Sequence, residues 1–522
     1  MFKNIATLFR LIAIARVLAR HDALAALEEQ RLVPGRLAAI AIWSGRRLSK
    51  RNVKGRPGQK LAAALTELGP TFIKLGQFLS TRADLLGDQL AADLSHLQDQ
   101  LPPFDGAEAK KIIESELDGD LDQLFLSFDP TPISAASIAQ VHFAETLEGE
   151  PVAVKILRPG VEKSFRKDLK LFYSLATLLE KARPSLQRFK LHEVVSTFHD
   201  TVRLEMDLRM EAAGACELGD NFKGDFTYDT PDIDWERTAK RVLTMSRIEG
   251  ISLDDRDALI AAGHDLEEIL TTAAAIFFNQ VFRDGFFHGD QHPGNMFVGD
   301  DGRIVAVDFG IMGRVDKTTR YFLADMLIAL LQKDYLKLAQ AHVTAGMIPA
   351  NQSVETFAQA LRSVCQPIMG KDLSSFSFAK MLGQMLHLAE SFDMIIQPHL
   401  LLLQKNMVMA EGISRGLDES LNLWTISQPL VEEWVVKNRG PEARIKEGLS
   451  TLTDSIETLP RLITNLETAS EMFSQKGLRL HSKTIQDFHQ ESSGTAKWAF
   501  IVAIASFTFS IGFAVNFIFF YS

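Results

Sequence analysis

The chain has 522 residues, 46% of them hydrophobic and 23% charged, which is enough for two or three domains with full-sized cores. Its two cysteines, Cys216 and Cys365, provide no disulfide framework and stand in no metal-ligand spacing. The net charge of −10 conceals 13 Lys and Arg against 3 Asp and Glu in residues 1–60. The acidic remainder argues against nucleic acid as a partner, whereas the basic end suits an anionic membrane surface.

Residues 1–60 are predicted to form a basic helical and linker region. Three arginines interrupt the apolar run of residues 1–20, which argues against a signal peptide and predicts an amphipathic helix instead. Such a helix can pack either on its own domain or on a membrane, and the sequence favours neither. A charged segment with glycine and proline, residues 46–60, follows as a linker.

Residues 61–125 are predicted to form a helical extension. Gly69 and Pro70 break it, and Pro70 can be the first residue of a new helix. On that helix Lys74 and Gln77 share a face, and Gly76 would let another backbone come close at a helix cost of ~1 kcal/mol.

Residues 126–250 change to a period of two, which predicts strands at 138–147 and 151–157. The second strand reads Val-Ala-Val-Lys, so that Ala153 and Lys155 point to the same face. An isolated lysine of this kind is usually an edge residue. The pattern nevertheless matches the kinase strand whose lysine meets the α- and β-phosphates of ATP.

A loop without glycine precedes these strands, where a kinase has its Gly-rich phosphate loop. Alanine disfavours positive φ, so this loop should be stiffer and hold phosphate differently. Its residues are Ser134, Ala135, Ala136 and Ser137.

A long helix is predicted over residues 191–218, and three of its acids, Glu205, Asp207 and Glu211, lie close together in the sequence. Asp207 and Glu211 lie four apart on one face, and Glu205 is displaced by about a third of a turn, so the acids can address two partners. The alternative is a solvated face with a Glu205–Arg209 pair. After this helix, residues 238–248 predict a strand, which contains Met245 and leads to a hinge at Glu249-Gly250.

Residues 251–440 contain the stretch with the strongest chemical signal, Phe286 to Met312. An Asp301-Gly302 pair between two apolar runs predicts a β-hairpin. The hairpin would bring the side chains of Asp290, Asn295 and Asp308 to one point, and oxygen ligands of this kind suit Mg²⁺. The spacing matches the H-x-D-x-x-x-x-N and D-F-G loops of kinases, in which the first Asp accepts a hydroxyl proton and the Asn and second Asp hold metal.

The rest of the chain is predicted to be helical from Thr318, without an A-P-E signature, with a helical juxtamembrane region at 441–496. Residues 497–522 predict a transmembrane helix, since residues 498–522 carry no charge and would span about 37 Å, against a ~30 Å hydrocarbon core. Basic residues precede this span and none follow it. This predicts a single C-terminal anchor in a bacterial-type inner membrane, with the body of the protein in the cytoplasm. The alternative is a buried core helix.

Together these motifs resemble the UbiB family of atypical kinase-like proteins over about residues 61–330. The family's K-x-G-Q motif is matched by Lys74, Gly76 and Gln77, and its Ala-rich loop by residues 134–137. The family's E-x-D motif is matched by Glu205 and Asp207, and the glutamate that pairs with the strand lysine by Glu211. One departure is Ser134, where many members have alanine.

The resemblance implies an α+β, bilobal protein-kinase-like fold with a small β-rich N-lobe (126–250), a helical C-lobe (251–440), an N-terminal helical extension and the C-terminal membrane helix. It also implies an ATP-dependent kinase-like phosphotransferase or ATPase that uses Mg²⁺ and supports ubiquinone synthesis. Its partners would be membrane lipids, prenylated quinone intermediates and other enzymes of that synthesis. The expected roles are catalysis by Asp290, Lys155 and Lys74; nucleotide binding by residues 134–137, Ala153, Lys155, Glu211 and Met245; metal binding by Asn295 and Asp308; and regulation by Lys74, Gln77, Glu205 and Asp207.

Two other readings stay open. One is a small-molecule phosphotransferase of the aminoglycoside-kinase type, which shares H-G-D-x-H-P-G-N but not the K-x-G-Q and E-x-D motifs. The other is a non-enzymatic scaffold that senses nucleotide. A hydroxylase or flavin enzyme is not indicated, because no G-x-G-x-x-G motif stands between a strand and a helix.

Overall fold

The structure is a computed structural model. It describes residues 5–23, 55–80, 86, 88–95, 97, 101–182, 190–349, 351–369, 381, 384–385, 388, 391–392, 394, 398–418, 429–430 and 432–434. The chain divides into two compact units, Met1–Val435 and Val436–Ser522, and all described residues belong to the first. The predictions for residues 441–496 and 497–522 therefore lie outside the described residues. Within the described part, no helix is both long and apolar enough to cross a membrane.

The N-terminal extension consists of helices α1 (Ile5–Arg20), α2 (Pro57–Leu68), α3 (Pro70–Ser80) and α4 (Asp88–Ser95). The break at Gly69, which has φ +101°, and the start of α3 at Pro70 agree with the prediction. Helix α2 begins at Pro57, so the helical extension starts inside the predicted linker. Helix α1 packs on its own domain, because Arg10 forms an ion pair with the buried Asp168 at 3.0 Å and lies over the Phe72 ring.

The N-lobe is an antiparallel sheet whose elements are α5 (Gly106–Leu117), α6 (Leu121–Leu124), β1 (Phe125–Phe128), β2 (Ser134–Ala135), β3 (Ala139–Thr146), β4 (Pro151–Leu157) and β6 (Val242–Ser246). The strand order is β1-β3-β4-β6, and β2 pairs with β3. Alternation along β4 turns Val152, Val154 and Ile156 toward α5, where they form one core. The predicted hairpin of residues 138–157 is therefore present, whereas the strand predicted at 238–248 is shorter.

The helices behind this sheet are α7 (Val161–Ala182), α8 (Leu191–Glu205) and α9 (Leu208–Asn221). The prediction of one helix over 191–218 is wrong, because the chain turns at Met206 and restarts at α9. Asp207 is the N-cap of α9 and accepts a hydrogen bond from the Arg209 backbone N–H. Aspartate is among the best N-cap residues, which explains why the break falls here.

The C-lobe begins with β7 (Ile251–Ser252), α10 (Arg256–Ala261), α11 (Leu266–Phe278) and a π-helical turn (Asn279–Asp284). Two small sheets follow: β5 (Tyr228–Asp229), β10 (Ile304–Ala306), β9 (Met296–Val298) and β7 form one, and β8 (Phe286–His288) and β11 (Met312–Arg314) form the other. The predicted hairpin is confirmed, since Ile304 pairs with Val298 across a turn in which Gly302 has φ +79°. The connection between the lobes at Glu249-Gly250 is also as predicted.

The described helices after the second catalytic loop are α12 (Lys317–Leu331), α13 (Tyr335–Thr344), α14 (Val354–Met369) and α15 (Pro398–Leu417). Helix α12 starts three residues after β11, as the prediction of immediate helix after Asp308 requires. Leu400 and Leu403 of α15 lie in one core with Phe277 and Phe287, so α15 is part of the C-lobe.

Candidate active site

Lys155 of β4 lies at the centre of the candidate site. Its Nζ is 2.7 Å from Glu211 Oε1 on α9 and 3.0 Å from Asp308 Oδ1. The lysine and glutamate side chains are 10% and 6% exposed, whereas that of Asp308 is 47% exposed. One lysine thus bridges a buried acid of the N-lobe and an accessible acid of the C-lobe.

The charges of this cluster support one another. Burial opposes the charged form of Lys155, but Asp308 and Glu211 outweigh it and raise the pKa of the ammonium. Burial raises the pKa of Glu211, although Lys155 acts in the opposite direction. For Asp308 the loss of solvent would raise the pKa, but Lys155 and, farther away, Lys74 and His288 hold it well below its usual range.

The loop from His288 to Asn295 is held in place by hydrogen bonds around Asp290. The Asp290 N–H donates to His288 Nδ1 at 3.1 Å, and Asn295 Nδ2 donates to the Asp290 carbonyl at 3.1 Å. The Val307 N–H donates to the Asn295 carbonyl at 2.8 Å. Asn295 is therefore tied one residue before Asp308, with its amide nitrogen engaged and its side-chain oxygen available to a cation.

Asp308 and the glycines beside the site have backbone requirements that explain the motif sequences. Asp308 has φ +62°, a left-handed conformation that few residues other than Gly, Asn and Asp adopt. A Cβ on Gly289 would lie 2.8 Å from Ile311 Cγ2 and 3.0 Å from its carbonyl oxygen. The H-G-D and D-F-G segments can therefore approach each other only with glycine at 289.

Lys74 of α3 forms an ion pair with Glu205, with 3.1 Å between Nζ and Oε2, and the two side chains are 12% and 8% exposed. Asp207, the second acid of the E-x-D motif, does not share this lysine, because its carboxylate binds the Arg209 guanidinium at 2.7 and 2.8 Å. Arg209 thus pairs with Asp207, and the alternative prediction of a Glu205–Arg209 pair is wrong. The extension is thus joined by a buried charge pair to the last residue of α8.

Gly76 and Gln77 complete the K-x-G-Q motif on α3. A Cβ on Gly76 would lie 2.4 Å from Leu97 Cδ1 and 2.8 Å from Leu65 Cδ1. The close neighbours are therefore side chains of the extension rather than another backbone. Gln77 lies three residues from Lys74 and on the same face, as predicted.

The Ala-rich loop begins with β2, in which Ser134 and Ala135 pair with β3. No residue from 132 to 137 has positive φ, so the turn needs no glycine. The Ala136 N–H donates to the Ala139 carbonyl at 2.8 Å, and the Ala136 carbonyl accepts from Arg158 Nε at 2.9 Å. Ser137 is fully buried. Arg158 therefore braces this loop by a contact that the sequence did not reveal, and the stiffness of the loop stays a prediction.

Ala153 and Met245 lie side by side on β4 and β6, where they are register partners. Ala153 is half-buried and Met245 is buried in the core on the same side of the sheet as Leu157. They occupy the wall of the sheet on which Lys155 stands, while their part in nucleotide binding stays a prediction.

Two residues of α15, Lys405 and Asn406, reach the catalytic loop. The sequence did not predict either of them. Lys405 Nζ lies 2.7 Å from Asp290 Oδ1, and Asn406 Nδ2 donates to the His288 carbonyl at 2.6 Å. The available signal was three polar residues in a row inside an otherwise apolar helical run, Leu-Leu-Leu-Leu-Gln-Lys-Asn-Met-Val-Met. Nothing in that signal indicates a contact 115 residues earlier in the chain.

The side chains present fit a nucleotide phosphate group with Mg²⁺. Asp308 offers a half-exposed carboxylate and Asn295 an amide oxygen, and Mg²⁺ is usually bound by one or two such ligands together with substrate phosphates. Lys155 supplies fixed positive charge beside them. Among the described residues, no group of three or more His, Cys, Asp or Glu could hold a metal by itself.

Comparison with known proteins finds matches to two family models and to several related chains. Residues 96–342 match the ABC1 atypical kinase-like domain, and residues 361–422 match the UbiB helical domain, which includes α15. A probable protein kinase UbiB of Marinobacter nauticus is 43% identical over 409 residues, covering 78% of this chain and 75% of that protein. The Azotobacter vinelandii protein of the same description is 39% identical over 485 residues, covering 92% and 90%. A solved Mycobacterium tuberculosis structure, described as the Rv3197–erythromycin complex, is 23% identical with a TM-score of 0.43 and covers 73% of this chain and 98% of that one.

Proposed function

The chain belongs to the UbiB family of atypical kinase-like proteins, and on that premise we propose that it binds Mg-ATP between its two lobes and cleaves the terminal phosphoryl group. The observation that carries the proposal is the contact of Lys155 with both Glu211 and Asp308. A lysine held between a buried glutamate and the D-F-G aspartate is the arrangement that aligns nucleotide phosphates in kinases.

Each residue of the site has a role that follows from its position. Lys155 neutralises phosphate charge, and Glu211 fixes the direction of Lys155. Asp308 and Asn295 would hold Mg²⁺, which would draw charge off the phosphates when bound. Asp290 accepts the proton of the attacking hydroxyl, either of water or of an acceptor.

The N-terminal extension and the short segment after Asp308 indicate which class of acceptor the site can take. Lys74 forms an ion pair with Glu205, and its charge acts on Asp308. The described segment after Asp308 enters α12 within nine residues and leaves no long platform for a peptide. We therefore propose water or a small or lipid acceptor, in support of ubiquinone synthesis as the family resemblance implies, rather than a protein substrate.

A membrane location is part of this proposal. Residues 498–522 are uncharged and Lys497 precedes them, so we propose a single C-terminal anchor with the body in the cytoplasm. Removing residues 498–522 should shift the protein from the membrane fraction toward the soluble fraction. Equal partitioning of the truncated and full-length proteins would contradict the anchor.

The proposal is tested in a strain that lacks this gene, by measuring ubiquinone and its intermediates after complementation. The wild type should restore ubiquinone, and Asp290→Asn should not, although it is present in equal amount. Asp300→Asn is the control, because it removes an exposed carboxylate of the neighbouring hairpin turn. Full restoration by Asp290→Asn would contradict catalysis by Asp290, and unchanged quinone in the deletion strain would contradict the pathway assignment.

A further inference from the structure

The catalytic loop contains no cation of its own. Between His288 and Asn295 the sequence is His-Gly-Asp-Gln-His-Pro-Gly-Asn, without Lys or Arg. A loop that handles a transferring phosphoryl group gains from a positive charge at the point of transfer, because negative charge on the phosphoryl oxygens must be held there. The cation nearest to the carboxylate of Asp290 comes instead from α15, as Lys405 at 2.7 Å.

Helix α15 is held in place by contacts next to Lys405 and at the far end of the helix. Asn406 is fully buried, and it donates to the His288 carbonyl at 2.6 Å, two residues before Asp290. At the far end of the helix the Leu417 carbonyl accepts from Arg256 Nε at 2.8 Å, and Leu417 is buried in the C-lobe core. A side chain placed by a packed helix with a neighbouring hydrogen bond is held more accurately than one on a free loop.

The pair is also accessible enough to meet a substrate. The Lys405 side chain is 34% exposed and that of Asp290 is 30% exposed. An ion pair with this much exposure adds little to stability. Stability alone therefore gives little reason to place a lysine at this position.

We propose that Lys405 is a catalytic residue of the phosphoryl-transfer site, supplied to the kinase-like domain by the helical domain. It binds one oxygen of Asp290 and leaves the other to accept the acceptor's proton, and its ammonium contacts the γ-phosphoryl group. As the acceptor oxygen bonds to the γ-phosphorus, its proton passes to Asp290. The bond from that phosphorus to the β,γ-bridging oxygen breaks, and its electron pair leaves with ADP.

This inference rests on the proposed function and accounts for a division of labour within the chain. Lys155 of the N-lobe and Asp308 of the C-lobe address the nucleotide, whereas Lys405 and Asp290 address the point of transfer. The helical domain would then be required for turnover rather than only for folding. An ion pair that merely joins α15 to the loop would affect stability and leave the chemistry unchanged.

The test compares the full-length wild type with Lys405→Met and Lys405→Arg, by titration calorimetry with Mg-ATP and Mg-ADP and by ATP turnover at saturating Mg-ATP. We expect Lys405→Met to lower turnover by about 100- to 1000-fold, the usual effect of losing one donor that stabilises charge in the transition state. It should weaken Mg-ATP binding several-fold while Mg-ADP binding is unchanged. Lys405→Arg, which keeps the charge, should recover most of the turnover.

The matched control is Arg415→Met. Arg415 is a cation of the same helix, but it pairs with Glu411 and not with Asp290. It should leave turnover and both affinities unchanged. Turnover of Lys405→Met within twofold of wild type would overturn this inference and leave the proposed function standing, as would equal weakening of Mg-ATP and Mg-ADP together with a lower Tm. A wild type that binds no Mg-ATP would overturn both.

Discussion

Lys74 and Glu205 form a nearly buried ion pair, with 3.1 Å between Nζ and Oε2, that joins α3 of the extension to the end of α8. Around this pair the ring of Phe72 meets that of Phe172 at 5.3 Å, so that α3 is also packed on α7. Separating the two residues would leave both charges buried and uncompensated, which costs stability. The pair therefore holds the extension in one position.

Lys74→Met should lower the free energy of unfolding by up to about 3 to 5 kcal/mol, the range for breaking a buried pair. Glu205→Gln should cost less, and the double variant should be more stable than the sum of the two losses predicts. Urea unfolding of all four proteins measures the coupling. The exposed pair Lys190–Glu193 is the control, for which coupling near zero is expected. Additive losses at Lys74 and Glu205 would show that the pair does not stabilise the docked extension.

The second buried pair, Lys155 and Glu211, should be coupled through nucleotide binding as well. Lys155→Met and Glu211→Gln should each weaken Mg-ATP binding strongly, and the double variant should be little worse than Lys155→Met alone. The reason is that Glu211 acts on the phosphates only through Lys155, at 2.7 Å from its ammonium. Titration calorimetry on the double-mutant cycle measures this, and strictly additive losses would show that the two residues act separately.

The parts of this site that could be predicted from the sequence are those fixed by local geometry. The Asp301-Gly302 turn sets the register of Ile304 and Val298, and that register brings Asn295 and Asp308 together. The strand pattern located Lys155, and the family resemblance supplied Glu211 as its partner. The break at Asp207 was missed, although an aspartate before Leu208 is an N-cap signal, because the apolar period continues across it.

The contacts that could not be predicted join parts of the chain that share no local pattern. Lys405 reaches Asp290 across 115 residues, and Arg158 braces Ala136 across 22. A lysine in a helix and an arginine after a strand look like ordinary surface residues in a single sequence. Only the packing of α15 and of β4 decides what these side chains meet.

Asp308 offers a variant in which charge and backbone strain can be separated. Asp308→Asn keeps a residue that tolerates φ +62° but removes the negative charge, so it should fold and lose most Mg-dependent ATP binding. Asp308→Ala should lose binding and also stability, because alanine adopts the left-handed region less readily. Calorimetry with Mg-ATP and thermal unfolding distinguish the two effects. Wild-type affinity in Asp308→Asn would show that Asp308 does not hold the metal.

His342 makes stability sensitive to acid. It is buried between the Phe322 and Phe357 rings, its Nδ1–H donates to the Leu338 carbonyl at 2.8 Å, and burial lowers its pKa. The unfolded chain, with a histidine pKa of about 6.5, therefore binds a proton at a pH where the folded protein does not. Stability from this residue is complete above about pH 6.5 and is lost as the pH falls toward the lower folded pKa.

His342→Gln should therefore reduce the fall in Tm between pH 7.5 and pH 5.5. The fall will not vanish, because burial also lowers the pKa of His142 and His288. His192→Gln, at an exposed histidine, is the control and should leave the pH dependence unchanged. A pH dependence in His342→Gln equal to that of wild type would show that His342 does not carry the effect.

The last prediction concerns the acceptor, and it decides whether this member of the family phosphorylates proteins. A protein kinase needs an open platform beside its catalytic aspartate, normally built by the segment after D-F-G. Here that segment reaches α12 at Lys317, nine residues after Asp308, while Lys74 is locked beside the site by Glu205. Radiolabelled ATP incubated with the full-length protein, cell extract and a phenol that resembles a quinone head group should give labelled inorganic phosphate or a labelled small molecule or lipid. Asp290→Asn should abolish that product and serves as the control for contaminating activity. Efficient, specific labelling of one protein in the extract, lost in Asp290→Asn, would refute the prediction and identify a protein kinase.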